Sequence, residues 1–153
     1  MAWKLAHTLR GSLAGASAAA AWAAQQPLDI RVFGVDYDDT ELLGKLVTRS
    51  AGWRPIGIAA HLGLGAAMGG AYANVAHRIP GPRWARGGLF ALGEHLASWP
   101  GTRLLNALHP AARDFPPLWG DHAAFAQALW RHLLFGVLMG LAESRLQRAA
   151  ARA

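Results

Sequence analysis

The chain contains no cysteine and has few charged residues. The absence of cysteine excludes disulfide bonds and thiolate metal ligands. Charged residues make up 16% of the sequence and hydrophobic residues 53%, which leaves too little charge to cover an ordinary water-facing surface. The mean hydropathy is only +0.16, but alanine and the 18 glycines lower this index without making a segment polar. The composition therefore predicts a protein surrounded mostly by lipid.

Acidic residues are scarcer than basic ones, with nine aspartates and glutamates against 15 lysines and arginines. A formal net charge of +6 is also found in nucleic-acid-binding proteins, where clustered cations neutralise phosphates. Here the basic residues are scattered at segment ends, which is how a membrane protein meets anionic headgroups. We therefore expect the lipid bilayer, and no nucleic acid, as a partner.

Four apolar segments stand out, at about 11–24, 56–76, 87–108 and 124–142. A helix needs about 20 such residues to cross ~30 Å of hydrocarbon, so the second and fourth are long enough and the other two are marginal. The first segment, short and rich in alanine, also fits a cleavable signal peptide. The pattern predicts one all-α membrane domain over 1–153, a four-helix bundle with helices at about 5–24, 56–77, 84–108 and 123–147.

Two features orient the predicted segments. Tryptophan prefers the headgroup level, and six tryptophans fall near segment ends: Trp3, Trp22, Trp53, Trp84, Trp99 and Trp119. Eight basic residues lie in the short flanks on the side of the N-terminus, against six in the two longer loops opposite. By the positive-inside rule, both termini are expected in the cytoplasm.

The first outer loop, 25–55, is too long to be a bare connection. Asp38, Asp39 and Thr40 can cap a short amphipathic helix at about 38–50, because apolar residues recur after them at helical spacing. We expect this helix to lie on the outer membrane surface. The second outer loop, 109–121, is rich in proline and cannot form one regular helix.

The second and fourth segments share a phrase. HLGLGAAMGG at 61–70 and HLLFGVLMGL at 132–141 agree at five of ten positions, and RGSL at 10–13 is echoed by RGGL at 86–89. Chance similarity between apolar helices is one explanation. An internal repeat is the other, and it predicts two similar helical hairpins related by a pseudo-two-fold axis along the membrane normal.

Small residues recur at every fourth position of the two segments and so line one face of each helix. Small residues at this spacing let helix backbones approach closely, which drives association in lipid. We expect these faces to pack in the bundle centre or to form a homo-oligomer contact. The predicted helix-packing residues are Gly57, Gly65, Gly69, Ala128, Gly136 and Gly140.

Ionisable residues inside a membrane span cost about 2.5–3.5 kcal/mol each at the helix centre, which makes a functional role the first hypothesis. The candidate intramembrane polar site contains His61, Glu94, His95, Ser98, Arg131 and His132. The rise per residue places Glu94 and His95 ~10–12 Å above the inner boundary, with both other histidines nearer the outer one. We therefore expect a ladder across the membrane. Arg131 should lie about one turn inside the outer boundary and reach water by snorkelling.

Several functions remain open for these residues. A ladder of titratable groups suits proton or small-ion movement. The same groups could simply be polar contacts between helices, and Ser98 could satisfy Glu94. His61 and His132 could be the axial ligands of a b-type haem, and His61, His95, His132 and Glu94 have the ligand types of a metal site. No nucleophile with its base and no phosphate-cradling loop is evident, so we expect no enzyme, no catalytic residues and no required cofactor.

Short motifs resemble the YagU-like family of uncharacterised bacterial inner-membrane proteins. These motifs are His61 with Tyr72 eleven residues on, HLASWP at 95–100, PPLW at 116–119 and HLLFG at 132–136. The resemblance covers about 57–148. It implies a small multi-pass protein of the bacterial inner (cytoplasmic) membrane, associated with acid tolerance and without an established biochemical activity.

The resemblance carries over five positions, which are His61, His95, Ser98, Pro100 and His132. Glu94 and Arg131 have no clear counterpart in the family pattern, and residues 25–55 depart from it. The implied acid tolerance favours proton handling. A structural or assembly subunit of a larger membrane complex is the alternative that needs no movement of ions.

Overall fold

Helices make up most of residues 5–152, the part of the chain that this computed structural model describes, and no strand occurs among those residues. This confirms the all-α class. Four helices are long and two are short. They are α1 (Leu5–Phe33), α2 (Asp39–Lys45), α3 (Trp53–Val75), α4 (Arg83–Ser98), α5 (Thr102–Leu108) and α6 (His122–Ala150).

Two helical stretches in residues 5–152 are long and apolar enough to cross a membrane. They are Trp53–Arg78, which is α3 with the 3₁₀ turn after it, and His122–Ala150, which is α6. These are the two segments whose length sufficed in the sequence. Helix α1 has 29 residues but is less apolar, and the 16 residues of α4 extend only about 24 Å. Spanning by α1 and α4 stays a prediction.

Helix α1 is longer than predicted. It continues past residue 24, through Pro27, to Phe33. Its last turns carry Gln25, Gln26 and Asp29, which resemble a loop in sequence but are held by partners on other elements. Trp22 consequently lies inside the helix and is buried, so its predicted position at a segment end is wrong. Trp3 lies outside the described residues.

The predicted helix 84–108 is broken. Helix α4 ends at Ser98, a 3₁₀ turn covers Trp99–Gly101, and α5 follows. Pro100 explains the break, because it has no backbone N–H to continue the hydrogen-bond ladder. Helix α2 also ends earlier than predicted, at Lys45. Its N-cap is Asp38, whose side chain accepts hydrogen bonds from the backbone N–H groups of Thr40 and Glu41.

The long helices form two antiparallel pairs, α1 with α3 and α4 with α6, and the pairs meet along α1 and α6. Helices α3 and α4 have almost no close backbone contact within the described chain. The seam between them, called the α3–α4 seam below, is therefore open, although the Tyr72 and Phe90 rings touch across it with centroids 5.5 Å apart. Helix α2 packs on α3, and its location at the outer membrane surface stays a prediction.

Glycines bring the backbones of each pair into contact. A Cβ atom on Gly15 would lie 2.0 Å from the Gly65 carbonyl oxygen, and one on Gly87 would lie 2.0 Å from that of Gly136. Gly65 faces Gly15 and Ala19, whereas Gly136 faces Gly87 and Ala91. The two pairs thus use the same kind of contact, in which Gly15 corresponds to Gly87.

The remaining predicted packing residues lie as follows. Gly69 meets Gly11 and Gly15 of α1, and Gly140 meets Gly87 of α4. Gly57 packs against α2, where an added Cβ would lie 1.8 Å from the Thr40 carbonyl oxygen, and Ala128 is buried. The glycine faces of α3 and α6 are therefore covered by the chain's own helices, which leaves them unavailable for an oligomer contact.

Candidate functional site

Arg131 on α6 is the centre of a buried charge network. Its Nε and Nη2 atoms donate to the two carboxylate oxygens of Asp29 on α1, at 2.8 and 2.6 Å. Its Nη1 atom donates to Asp39 Oδ2 at 2.6 Å, and its guanidinium lies 4.3 Å from the centroid of the Tyr37 ring. The Arg131 side chain is 0% exposed. The predicted snorkelling of Arg131 to water is therefore wrong, because two carboxylates from other elements neutralise it inside the protein.

The carboxylate of Asp29 is fully satisfied. Gln127 Nε2 donates to Asp29 Oδ1 at 2.7 Å, and Gln25 Nε2 donates to Asp29 Oδ2. With the two bonds from Arg131, four N–H donors converge on this side chain. A paired and hydrogen-bonded ion pair of this kind locks α1 to α6, because removing either partner leaves a buried charge.

Helix α2 is joined to the same network. The Gln26 side chain donates to Asp38 Oδ1 at 2.9 Å and accepts from the Asp39 backbone N–H at 2.9 Å. The Trp22 indole N–H donates to Asp39 Oδ2 at 3.1 Å. Burial by itself opposes ionisation of Asp38, but hydrogen bonds from Thr40, Gln26 and two backbone N–H groups outweigh it and hold the pKa of this carboxyl below its usual value.

Glu94 and His132 form a second, separate pair. His132 Nε2 lies 2.8 Å from Glu94 Oε2, and His132 Nδ1 lies 2.7 Å from the Ala128 carbonyl oxygen. A carbonyl oxygen only accepts, so Nδ1 carries a hydrogen. The Nε2 and carboxylate lone pairs would repel each other without a proton between them. The pair therefore shares one proton and carries no net charge, whichever partner holds it.

His95 packs directly beside this pair. Its ring centroid lies 4.7 Å from that of His132, 4.9 Å from that of Phe125 and 5.5 Å from that of Trp99. The residue is 1% exposed, and its Nε2 atom has no hydrogen-bond partner within residues 5–152. A buried polar atom without a partner costs about 1–3 kcal/mol. If His95 only filled space, phenylalanine would serve better at this position.

Trp22 lies between His61 and His132, the histidines that begin the two copies of the repeated phrase. Its ring centroid lies 5.3 Å from that of His61 and 4.8 Å from that of His132. His61 Nε2 lies 3.1 Å from the Ala19 carbonyl oxygen, so this nitrogen also acts as a donor. Both histidines consequently use a ring nitrogen to satisfy backbone carbonyls.

A cavity of about 270 Å³ lies beside these groups, between α1, α2, α3, α4 and α6. We call it the His–Glu cavity. Its polar lining comprises Trp22, Asp39, His61, Glu94 and His132. The Glu94 and His132 side chains are 34% and 17% exposed, so both are accessible from the cavity.

The structure brings most of the candidate residues together as a cluster and not as the predicted ladder. The register of α4 against α6 is the reason. Gly87 meets Gly136 and Gly140, so Glu94, about two turns further along α4, lies level with His132. Ser98 is exposed, and its hydroxyl donates to the His95 carbonyl oxygen at 3.3 Å. Arg131 belongs to the Asp29 network instead.

Neither ligand-binding alternative matches this geometry. Trp22 occupies the space between His61 and His132, where a haem macrocycle would have to lie. No group of three or more histidine, aspartate or glutamate side chains in residues 5–152 is placed to hold a metal ion. We therefore do not carry these two alternatives forward.

Sequence reasoning missed the buried network around Arg131. Asp29, Gln26 and Gln127 are all at most 2% exposed, but Asp29 was assigned to a loop and no pairing was considered. The available signal was the unpaired Arg131 itself, since an arginine inside an apolar helix requires a buried carboxylate nearby.

Comparisons with family models, curated proteins and solved structures find no match for this chain. The resemblance to the YagU-like family therefore stays a prediction. The function has to be inferred from the geometry described above.

Proposed function

We propose that this chain is a multi-pass membrane protein that handles protons, with the Glu94–His132 pair as its proton-binding group. The observation that carries this proposal is the 2.8 Å contact between His132 Nε2 and Glu94 Oε2, on a cavity wall and beside the unpartnered Nε2 atom of His95. The membrane location and the proton chemistry of this pair are supported by different features of the molecule.

The location is supported by an inside-out distribution of side chains. Four polar side chains are at most 2% exposed: Arg131, Gln26, Gln127 and His95. In contrast, leucines point outward from α1, α3 and α4, and Trp130 and Val137 point outward from α6. The exposed leucines include Leu9 at 57%, Leu13 at 58%, Leu28 at 61%, Leu64 at 53% and Leu96 at 54%, together with Val137 at 37%. A surface of this kind is stable against lipid tails, where association depends on small residues and internal polar contacts.

The apolar surface extends to α1 and α4, which supports four spans in place of two. Leu9, Leu13 and Leu28 lie on α1, and Leu89 and Leu96 lie on α4. The exposed leucines would cost solubility in water but match a hydrocarbon environment. Because α1 and α6 also enclose the Arg131 network, the least apolar part of α1 is turned away from this surface.

Proton exchange is supported by the contact between Glu94 and His132, which requires a proton between the two side chains. An imidazole and a carboxylate that share one proton can each take up or release a proton near neutral pH after small changes in their surroundings. His95 offers a nitrogen with no competing partner next to His132, so a proton can be passed to it when side chains move. Asp39 and His61 line the same cavity and extend the set of titratable groups.

Proton flux into proteoliposomes tests this function. Purified protein is reconstituted with an internal pH indicator, and a pH gradient is imposed with a potassium–valinomycin potential to balance charge. Wild type is expected to give a flux above protein-free vesicles. Glu94→Gln and His132→Gln are expected to return the flux to that background, because neither side chain can then exchange the shared proton.

The controls use the same substitutions away from the cavity. Glu41→Gln removes a carboxylate that forms a surface pair with Lys45 at 2.7 Å, and His122→Gln changes an exposed histidine at the start of α6. Both variants should conduct like wild type. Unchanged flux in folded Glu94→Gln and His132→Gln, or no flux in wild type, refutes proton handling and leaves the cluster as polar contacts between helices, as expected of an assembly subunit.

Membrane location has its own test. The native protein should stay in the membrane pellet through high-pH carbonate extraction and should need detergent for release. A folded monomer in the supernatant, obtained without detergent, would contradict the location.

A further inference from the structure

A second cavity, of about 430 Å³, lies at the opposite end of the molecule from the Arg131 network. It is bounded by the first turns of α1 and α4 and the last turns of α3 and α6. We call it the basic cavity. Its charged and titratable lining consists of His7, His77, Arg83, Arg86, Glu143 and Arg148. The cations outnumber the single carboxylate, so the cavity has a net positive charge.

The arginines of this cavity have donor groups to offer. Arg83 and Arg148 are exposed and form no hydrogen bond or ion pair within residues 5–152. Arg86 is half-buried and uses its Nε atom to donate to the Gly81 carbonyl oxygen at 2.9 Å, which leaves its terminal nitrogens available. Guanidinium groups donate paired, charge-assisted hydrogen bonds to phosphate oxygens.

The floor of the basic cavity is buried and carries a carboxylate, in contrast to its exposed, arginine-lined mouth. Tyr72 and Glu143 are 2% and 7% exposed, and Glu143 has no ion pair within the described residues. Its carboxylate repels an anion that enters deeply. An anionic ligand is therefore held at the mouth, where Arg83 and Arg148 are exposed, and not at the floor.

We propose that the basic cavity binds a phosphate group through Arg83, Arg86 and Arg148. The group can belong to an anionic phospholipid headgroup or to a free phosphate, since both present the same oxygens. The cavity lies at the end of the open α3–α4 seam and among the basic flanks expected on the cytoplasmic side. Basic pockets between helices at this level suit anionic headgroups. This site is independent of the proposed proton-binding pair.

Two binding measurements separate the sources. Protein purified in a neutral, phosphate-free detergent is titrated with phosphatidylglycerol, followed by native mass spectrometry, and with inorganic phosphate at constant ionic strength, followed by calorimetry. The main variant is Arg83→Gln with Arg148→Gln, which removes no hydrogen bond and no ion pair among the described residues. Its matched control is Arg54→Gln with Arg103→Gln, at the other end of the molecule.

The proposal predicts that the Arg83/Arg148 variant binds at least about tenfold more weakly than wild type and that the Arg54/Arg103 variant binds normally. An effect on phosphatidylglycerol alone identifies a lipid headgroup, and an effect on inorganic phosphate identifies a free anion. Equal binding by both double variants, or no binding of either ligand to wild type, overturns the proposal.

A substitution that is expected to strengthen binding distinguishes a lost phosphate site from a misfolded protein. Glu143→Gln removes the repelling charge at the floor and should tighten binding several-fold. Weaker binding by Glu143→Gln would overturn the arrangement, because it would assign the carboxylate a role in holding the ligand.

Discussion

Arg131 and Asp29, which are 102 positions apart, join the last helix to the first through two hydrogen bonds of 2.8 and 2.6 Å. Both side chains are at most 1% exposed. Asp29→Asn keeps the size of the side chain but leaves the buried guanidinium with only Asp39 as a counter-charge. We expect a loss of about 3–5 kcal/mol in the free energy of unfolding, measured by chemical denaturation in mixed micelles.

The control for this substitution is Asp36→Asn, which changes an exposed aspartate in the loop after α1. It should alter stability by less than about 0.5 kcal/mol. Equal stability of the two variants would show that the buried ion pair does not hold α1 against α6.

Two glycines of α3, separated by one residue, should respond in opposite ways to alanine. A Cβ on Gly65 would lie 2.5 Å from the Ala19 Cβ, whereas a Cβ on Gly63 meets nothing within 4 Å. Gly65→Ala should cost about 1–3 kcal/mol, because the backbones of α1 and α3 must separate. Gly63→Ala should be neutral or stabilise by up to about 1 kcal/mol through its helix propensity. Thermal unfolding in one detergent compares them, and equal melting temperatures would argue against the close contact.

The cap of α2 predicts a dependence of stability on pH. The folded-state pKa of Asp38 is below its usual value, since hydrogen bonds outweigh the opposing effect of burial. The stabilisation is therefore present above the unfolded pKa of about 3.9 and is lost as the pH falls through the lower, folded-state pKa. Asp38→Ala should weaken the cap by about 0.5–2 kcal/mol at neutral pH and flatten the stability profile between pH 5 and 2. A profile as steep as that of wild type would assign the acid sensitivity to other carboxylates.

His95→Phe separates a structural role from a role in proton transfer. The ring lies among His132, Phe125 and Trp99 with one unpartnered nitrogen. Phenylalanine fills the same space without that buried polar atom, so stability should stay equal or rise by about 1 kcal/mol. The proton flux of the proteoliposomes should nevertheless fall.

His109 provides the comparison for this substitution. Its Nε2 atom donates to the Leu42 carbonyl oxygen at 2.9 Å, and its Nδ1 atom accepts from the Ala111 N–H at 3.0 Å. His109→Phe should therefore lower stability and leave the flux per folded molecule unchanged. Normal flux in His95→Phe would remove His95 from the proposed proton route.

Hydropathy and spacing were sufficient to predict the all-α class, the two most apolar helices and the faces on which glycine lies. These features depend on periodicity within one segment, which a single sequence displays. The extension of α1 and the break after α4 were harder to predict from the sequence. Asp29 and the two glutamines before it look like loop residues until their partners on α2 and α6 are known. Pro100 interrupts the helix because it lacks a backbone N–H, but α5 resumes directly after the turn, so the apolar pattern continues across the break.

The polar site was predicted correctly in its residue types but not in its arrangement. Glu94 and His95 were placed at a different depth from His132 by counting residues from the predicted inner boundary, and this count led to the ladder. The register of α4 against α6, in which Gly87 meets Gly136 and Gly140, brings Glu94 level with His132. The pairing of Arg131 with Asp29 connects residues in distant segments, which spacing along the chain does not encode.

The contact between the first and last helices also affects biogenesis. During translation, Asp29 is made about a hundred residues before the cation that neutralises it, so an incomplete chain holds a carboxylate for which α6 supplies no counter-ion. In the proposed membrane location, an unpaired carboxylate of this kind is costly in hydrocarbon. Stable insertion of α1 would then depend on synthesis of α6, which links it to completion of the polypeptide.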